Sequence, residues 1–277
     1  MSNQASWVTV RVYPGSHREA AIAAMFDSGA EGVQELSDSV ITHVRDQSAA
    51  NAMLCAVMMA SADARVDTAP LDAVDWTEQW KQGIHPHRLG GLTVAPPWHA
   101  ADLDPLTSII IEPAMAFGTG EHATTRGVIR LLQRVGCRGD RVADLGAGSA
   151  VLAIAAAKLD ALHVTAIELD ADAISNAEEN IERNGVADRV TVIEGDAASL
   201  LPLVAPVRVI TANILSSVLI DLLPTITGSL TSDGVAILSG ILVAERDEMA
   251  AAIRAAAYRI ELEDDEDGWW SAAIVRR

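Results

Sequence analysis

Apolar and polar positions change period several times along the chain, and each change marks an element. Residues 7–13 alternate as a half-buried strand does, residues 17–28 carry a helical pattern, and residues 32–36 and 40–44 give two further short strands. The Met-rich run at 49–66 fits helix or strand by pattern alone, and polar, Pro-containing sequence at 67–75 reads as the exit from this small α+β unit. The segment DWTEQWK, residues 75–81, opens a connector whose Trp76 and Trp80, four apart, share one face of a helix and suit packing against a neighbour. Short strands at 92–94 and 108–111 flank a turn through Pro96, Pro97 and Trp98.

Beyond residue 140 the pattern becomes regular. Residues 142–145 read as a buried parallel strand, residues 146–150 as a glycine-containing turn, and residues 151–158 as an Ala-rich helix. A strand at 163–168 leads to a helix opened by Asp170 and Asp172, with Ile174, Ala177 and Ile181 on one stripe and Asn184-Gly185 at its end. Strands follow at 189–194, 207–215 and 235–238, with helices at 215–223 and 244–257. Two antiparallel strands, 259–262 and 270–275, close the chain around an acidic stretch at 261–267 that reads as a solvated loop. This alternation predicts an α/β fold: a seven-stranded doubly wound Rossmann-like domain with a small N-terminal α+β domain. The expected boundaries are 1–70 for the small domain, 71–107 for a connector and 108–277 for the large domain.

The turn after residue 145 carries the candidate chemistry. Gly146 and Gly148 let the backbone turn tightly and approach a ligand, and the turn opens onto a helix N-terminus that favours anionic or polar groups. A dinucleotide fingerprint needs a third glycine where Val151 stands, which weakens a pyrophosphate reading. Asp144, Gly146 and Gly148 instead resemble the acid and alternating glycines of S-adenosylmethionine-dependent methyltransferases. Glu168, 24 residues after Asp144, sits where an acid can accept from both hydroxyls of a ribose, a device shared with dehydrogenases. Asp196 lies where an acid meets an adenine amino group in methyltransferases, and a solvated turn aspartate would look the same. Asn213, at a strand's C-terminal end, could accept from a target amine or simply cap the next helix. The segment EPAMAFGTGEHATT, residues 112–125, has no regular period and reads as a shaped loop. In it Phe117 could cover an adenosine or substrate alkyl group or belong to the core, Thr125 could bind the amino-acid end of a cofactor or cap a helix, and His122 could act as a base but is expected to orient the loop.

Composition narrows the partners. With 20 Lys and Arg against 38 Asp and Glu, the net charge of −18 argues against a protein that grips nucleic acid through phosphates. No window suits a membrane span, the N-terminal residues lack a signal-like pattern, and Cys55 and Cys137 have no metal-ligand or disulfide spacing, so a cytoplasmic protein without a metal is expected.

Taken in order, EPAMAFGTGEHATT, DLGAGSAVLAIAA, AIELD, ANIL and LSGIL resemble the PrmA family, which methylates ribosomal protein L11. DWTEQWK and APPWHA (residues 95–100) fit the same family, so the resemblance covers residues 75–277, and the first 70 residues match in outline only. It implies an enzyme that moves methyl groups from S-adenosylmethionine to lysine ε-amines and the N-terminal amine of that ribosomal protein, with the small domain recognising the substrate. By motif position Thr125, Gly146, Glu168 and Asn213 would contact the cofactor, with Phe117, Thr119 and Gly148 lining the same site and Asn213 on the acceptor side. The chain departs from the family at Glu112 (usually Asp), Ala114 (Gly), Ala150 (a third turn glycine) and Glu168 (more often Asp). Competing readings are another protein, a small amine or, least favoured by the acidic charge, an RNA base as target, a nicotinamide dehydrogenase, or a catalytically weakened cofactor-binding homologue.

Overall fold

The computed structural model describes residues 7–70, 84–113 and 120–277. The chain divides into two compact units, Met1–Gly83 and Ile84–Arg277. Trp76, Trp80, Phe117 and Thr119, singled out above, lie outside the described residues.

The first unit runs β1 (Val8–Tyr13), α1 (Arg18–Asp27), β2 (Gln34–Glu35), β3 (Val40–Val44), α2 (Gln47–Ala60) and β4 (Arg65–Pro70), with the antiparallel sheet order β2-β3-β1-β4. Alternation in β1 sends Val8, Val10 and Val12 into a core closed by Met25 of α1 and Met53 and Val57 of α2. The ambiguous Met-rich run is helical over Gln47–Ala60: Ala50, Met53 and Val57 are its buried stripe, and the Asp46 carboxylate caps the first turn by accepting from the Ala49 amide. Residues 67–70, expected as an exit, instead complete β4, which pairs with β1 as far as Val8 opposite Pro70. Their polarity is that of an edge strand, four of whose six residues are exposed in a row.

The second unit begins with a three-stranded sheet, β5 (His87–Leu89), β6 (Leu92–Ala95) and β7 (Ser108–Ile110). Residues 84–107, expected as connector, thus pack within the large unit. Gln133 of α3 (Ala123–Val135) holds this region by donating to the Leu89 carbonyl and accepting from the Gly91 amide, both at 2.8 Å.

The large sheet contains β8 (Arg141–Leu145), β9 (His163–Glu168), β10 (Val190–Glu194), β11 (Val207–Asn213), β12 (Leu230–Leu242), β13 (Tyr258–Glu266) and β14 (Trp269–Arg276) in the order β10-β9-β8-β11-β12-β14-β13. The first five are parallel, and the last two form an antiparallel hairpin. The chain moves outward from β8 to β10 and returns to β11, so the topological switch falls beside β8, where doubly wound sheets bind ligands. Apolar residues of α3, α4 (Val151–Lys158) and α5 (Ala171–Arg183) cover one face. Those of α6 (Ala197–Val204), α7 (Ser216–Ser229) and α8 (Arg246–Ala255) cover the other. The pattern reading had no counterpart to α6 and gave β12 a third of its length.

The acidic stretch at 261–267 is mostly strand rather than loop. Alternation along β13 turns Asp264 and Glu266 onto α3, where Arg130 Nε donates to Asp264 at 2.8 Å and Arg126 Nε to Glu266 at 2.9 Å. These inward-facing charges on an edge strand satisfy two arginines and discourage pairing with a further strand.

Candidate cofactor site

The site starts from the backbone of the glycine turn. Beyond β8 the chain takes positive φ at Gly146 (70°), Gly148 (51°) and Ala150 (64°). Gly146 is required twice over: its φ favours glycine, and a Cβ there would overlap Ile214 Cγ2. The Gly146 amide donates to the Ile167 carbonyl at 2.9 Å, which aligns the turn with the end of β9. Glu168 continues that alignment, its Oε2 accepting from the Gly148 amide at 2.7 Å and its Oε1 from the Asp170 amide at 2.9 Å.

These groups border a cavity of about 540 Å³ at the C-terminal ends of the parallel strands. Of the residues singled out in the sequence, Thr125, Gly146, Gly148, Glu168, Asp196 and Asn213 all line it. Thr125 lies in the first turn of α3, is fully buried, and its Oγ1 has no hydrogen-bond partner among the described residues. A buried hydroxyl left in that state costs stability until a ligand satisfies it. It does not cap α3; His122 does, its Nδ1 accepting from the Thr124 amide. Asn213 is the last residue of β11, partly exposed, and α7 begins three residues later without a side-chain cap, so the helix-cap alternative for Asn213 is not realised. Asp196 lines the cavity and also caps α6, accepting from the Ala198 amide at 3.1 Å and from Ser199 Oγ at 2.9 Å. Those donors hold its carboxyl below the usual range, with the Ser199 hydroxyl first.

Asp144 is placed differently from expectation. It is fully buried beneath α4, away from the cavity lining, with Thr211 Oγ1 donating to one oxygen at 2.6 Å and the Ala153 amide to the other at 3.2 Å. Alternation along β8 explains this: Val142 and Asp144 share the face that α4 covers. Burial pushes the Asp144 carboxyl up to about 7, helped by the charge of Glu168 and opposed by its two donors. Asp144 therefore braces the turn from below instead of reaching a ligand.

Several lining residues carried no sequence signal. Trp269 contributes from β14, its ring edge-on to His122 at 4.9 Å, while its neighbour Trp270 points to the opposite face and is buried in the core. Desolvation and then Arg126 hold His122 below its ordinary pKa, so its ring is neutral near pH 7. Gly240 admits the backbone of Ile214, which a Cβ there would strike. The one available clue was the Trp-Trp pair in a chain with only two Phe and two Tyr.

A volume of this size, a glycine turn at a helix N-terminus, carboxylates at the ends of β9 and β10, and an unsatisfied hydroxyl opposite together suit an adenosine-bearing cofactor with a polar tail. Comparison with known proteins agrees. The model of the ribosomal protein L11 methyltransferase (PrmA) family matches residues 14–277. The ribosomal protein L11 methyltransferase of Exiguobacterium sp. is 37% identical over 218 residues, covering 76% of this chain and 68% of the relative. That of Chloroflexus aurantiacus is 36% identical over 236 residues, covering 76% and 72%. The crystal structure of a ribosomal protein L11 methylase from Lactobacillus delbrueckii subsp. bulgaricus superposes with a TM-score of 0.62 at 32% identity, covering 70% of this chain and 99% of that one. With a match that takes in both units and every described wall of the cavity, the chain belongs to the ribosomal protein L11 methyltransferase (PrmA) family and is an S-adenosylmethionine-dependent enzyme.

Proposed function

We propose that this chain methylates ribosomal protein L11 in the cytoplasm, at lysine ε-amines and the N-terminal amine. In this reading the first unit, Met1–Gly83, recognises the protein substrate and the second, Ile84–Arg277, carries out transfer. The observation that carries it is the buried Thr125 hydroxyl, without a hydrogen-bond partner among the described residues, at a cavity whose other wall is the Gly146–Gly148 turn. Thr125 and the turn amides would hold the amino-acid end of the cofactor, Glu168 its ribose and Asp196 its adenine, with Phe117 and Thr119 assigned to the same site by motif position. Bound there, S-adenosylmethionine supplies a methyl group activated on a sulfonium.

The chain's own part is alignment and solvent exclusion, because an in-line displacement by an amine needs no covalent nucleophile. Leu215 and Val218 on the acceptor side offer a lysine an apolar approach, and that desolvation favours its neutral, nucleophilic form. The Asn213 carboxamide oxygen at the end of β11 accepts from the amine and stabilises the positive charge that grows on nitrogen. The acidic surface, net −18, suits a basic protein partner better than nucleic acid.

Incubation with radiolabelled S-adenosylmethionine and ribosomal proteins tests the proposal: label is expected on L11 and is expected to fall at least tenfold with Asn213→Ala. Label on a different protein would discard the partner and keep the reaction. An unchanged rate with Asn213→Ala would remove that residue from the acceptor side.

A further inference from the structure

We propose that Asn180 is a positioning residue that fixes the glycine turn of the cofactor site against the backbone leaving β7, an assignment that rests on the methyltransferase reading above. Asn180 lies in α5, outside the cavity, and is fully buried. Its Nδ2 donates to the Ser149 carbonyl at 3.1 Å, within the glycine turn, and its Oδ1 accepts from the Glu112 amide at 3.0 Å, where the chain leaves β7 toward α3. One carboxamide therefore ties together two segments 37 residues apart in sequence. The first presents Gly148 to the cavity, and the second is the backbone that leaves β7.

The arrangement is built to be stiff. Arg183 Nη1 donates to the same Oδ1 at 2.7 Å, Asn176 Oδ1 accepts from Nδ2 at 3.3 Å, and Arg183 also pairs with the Glu112 carboxylate at 3.6 Å. The hydrogen-bonding capacity of the carboxamide is thus filled, and its orientation is fixed by donors on one end and acceptors on the other. A buried, fully used amide behind the binding turn holds geometry at the scale on which ligand contacts succeed or fail. Asn184, one turn further along α5, provides the natural comparison: it too is buried and bonds both the amide (2.8 Å) and carbonyl (2.7 Å) of Ile110, but it makes no bond to the turn.

The test compares Asn180→Ala and Asn180→Asp with Asn184→Ala by calorimetric titration of S-adenosylhomocysteine and by hydrogen exchange. Asn180→Ala is expected to weaken binding at least tenfold and to expose the Glu112 amide to exchange, while KM for the protein substrate at saturating donor changes less than twofold. Asn180→Asp keeps the acceptor for Glu112 and loses the donor to Ser149, so it is expected to lie between wild type and Ala. It also serves as the working variant if Ala does not fold. Asn184→Ala is expected to lower thermal stability comparably and leave affinity within twofold. The inference is overturned if Asn180→Asp and any folded Asn180→Ala bind within twofold of wild type, or if Asn184→Ala weakens binding as much as they do. Failure of wild type to bind S-adenosylhomocysteine at all would instead overturn the cofactor reading on which the inference rests.

Discussion

Glu168 Oε2 accepts a hydrogen bond from the Gly148 amide at 2.7 Å, joining the end of β9 to the middle of the glycine turn. Its second oxygen is bonded to the Asp170 amide, so one carboxylate organises the approaches to two helices, α4 and α5. Replacement by Gln leaves an NH₂ group facing one of these amides. Glu168→Gln is expected to destabilise the protein by roughly 1–2 kcal/mol and to weaken S-adenosylhomocysteine binding more than tenfold, with Glu168→Asp in between. Titration calorimetry that finds Gln equal to wild type would remove Glu168 from the binding set.

Thr125 predicts the opposite combination of stability and affinity. Its hydroxyl is buried without a partner among the described residues, so the isostere Val removes a desolvated polar group from the ligand-free protein. Thr125→Val is expected to raise the ligand-free melting temperature while costing about 1 kcal/mol of cofactor affinity, some five- to tenfold. A lower melting temperature together with unchanged affinity would show that the hydroxyl is a structural group.

Ala150 holds φ 64°, a backbone conformation that favours glycine, and it is completely buried. Relief of left-handed strain by Ala150→Gly gains roughly 1 kcal/mol, against the loss of a buried methyl of about 0.8 kcal/mol and an unfolded-chain entropy term of about 0.4–1 kcal/mol. The balance is near zero and slightly destabilising, so the alanine is a tolerated variant of the turn. Cofactor affinity of Ala150→Gly is expected within twofold of wild type; a tenfold gain would show that the methyl group hinders binding.

Asp144 makes stability depend on pH in a specific direction. Its folded pKa of about 7 lies above the ordinary carboxylate value of 3.8, so between them the folded state binds the proton more tightly than the unfolded chain. Its contribution is therefore most favourable at acid pH and is lost as pH rises toward the folded pKa. Denaturant titrations are expected to show wild type losing on the order of 2 kcal/mol more than Asp144→Asn between about pH 5 and about pH 8. Parallel pH profiles for the two proteins would mean that the buried carboxylate is ionised throughout.

The strand-turn-helix at residues 141–158, the acid at the end of β9 and the alternation that builds the large sheet are legible in the chain's own pattern. These depend on periodicity and on the demand for glycine at positive φ, and both act over a few residues. Where individual side chains finish is set by long-range packing. Asp144 had the right motif position but falls on the face covered by α4, and Asp264 and Glu266 belong to an apparently solvated run but meet Arg130 and Arg126 of α3. Trp269 and Trp270 are neighbours in sequence, yet the pairing of β14 between β12 and β13 sends one to the cavity and the other to the core. Asn180 had only the appearance of a polar residue in an amphipathic helix, because its partners at Ser149 and Glu112 lie 31 and 68 residues away. Local pattern specifies which backbone forms, whereas the destination of a polar side chain depends on which distant donor or acceptor the packed helices bring within hydrogen-bonding reach.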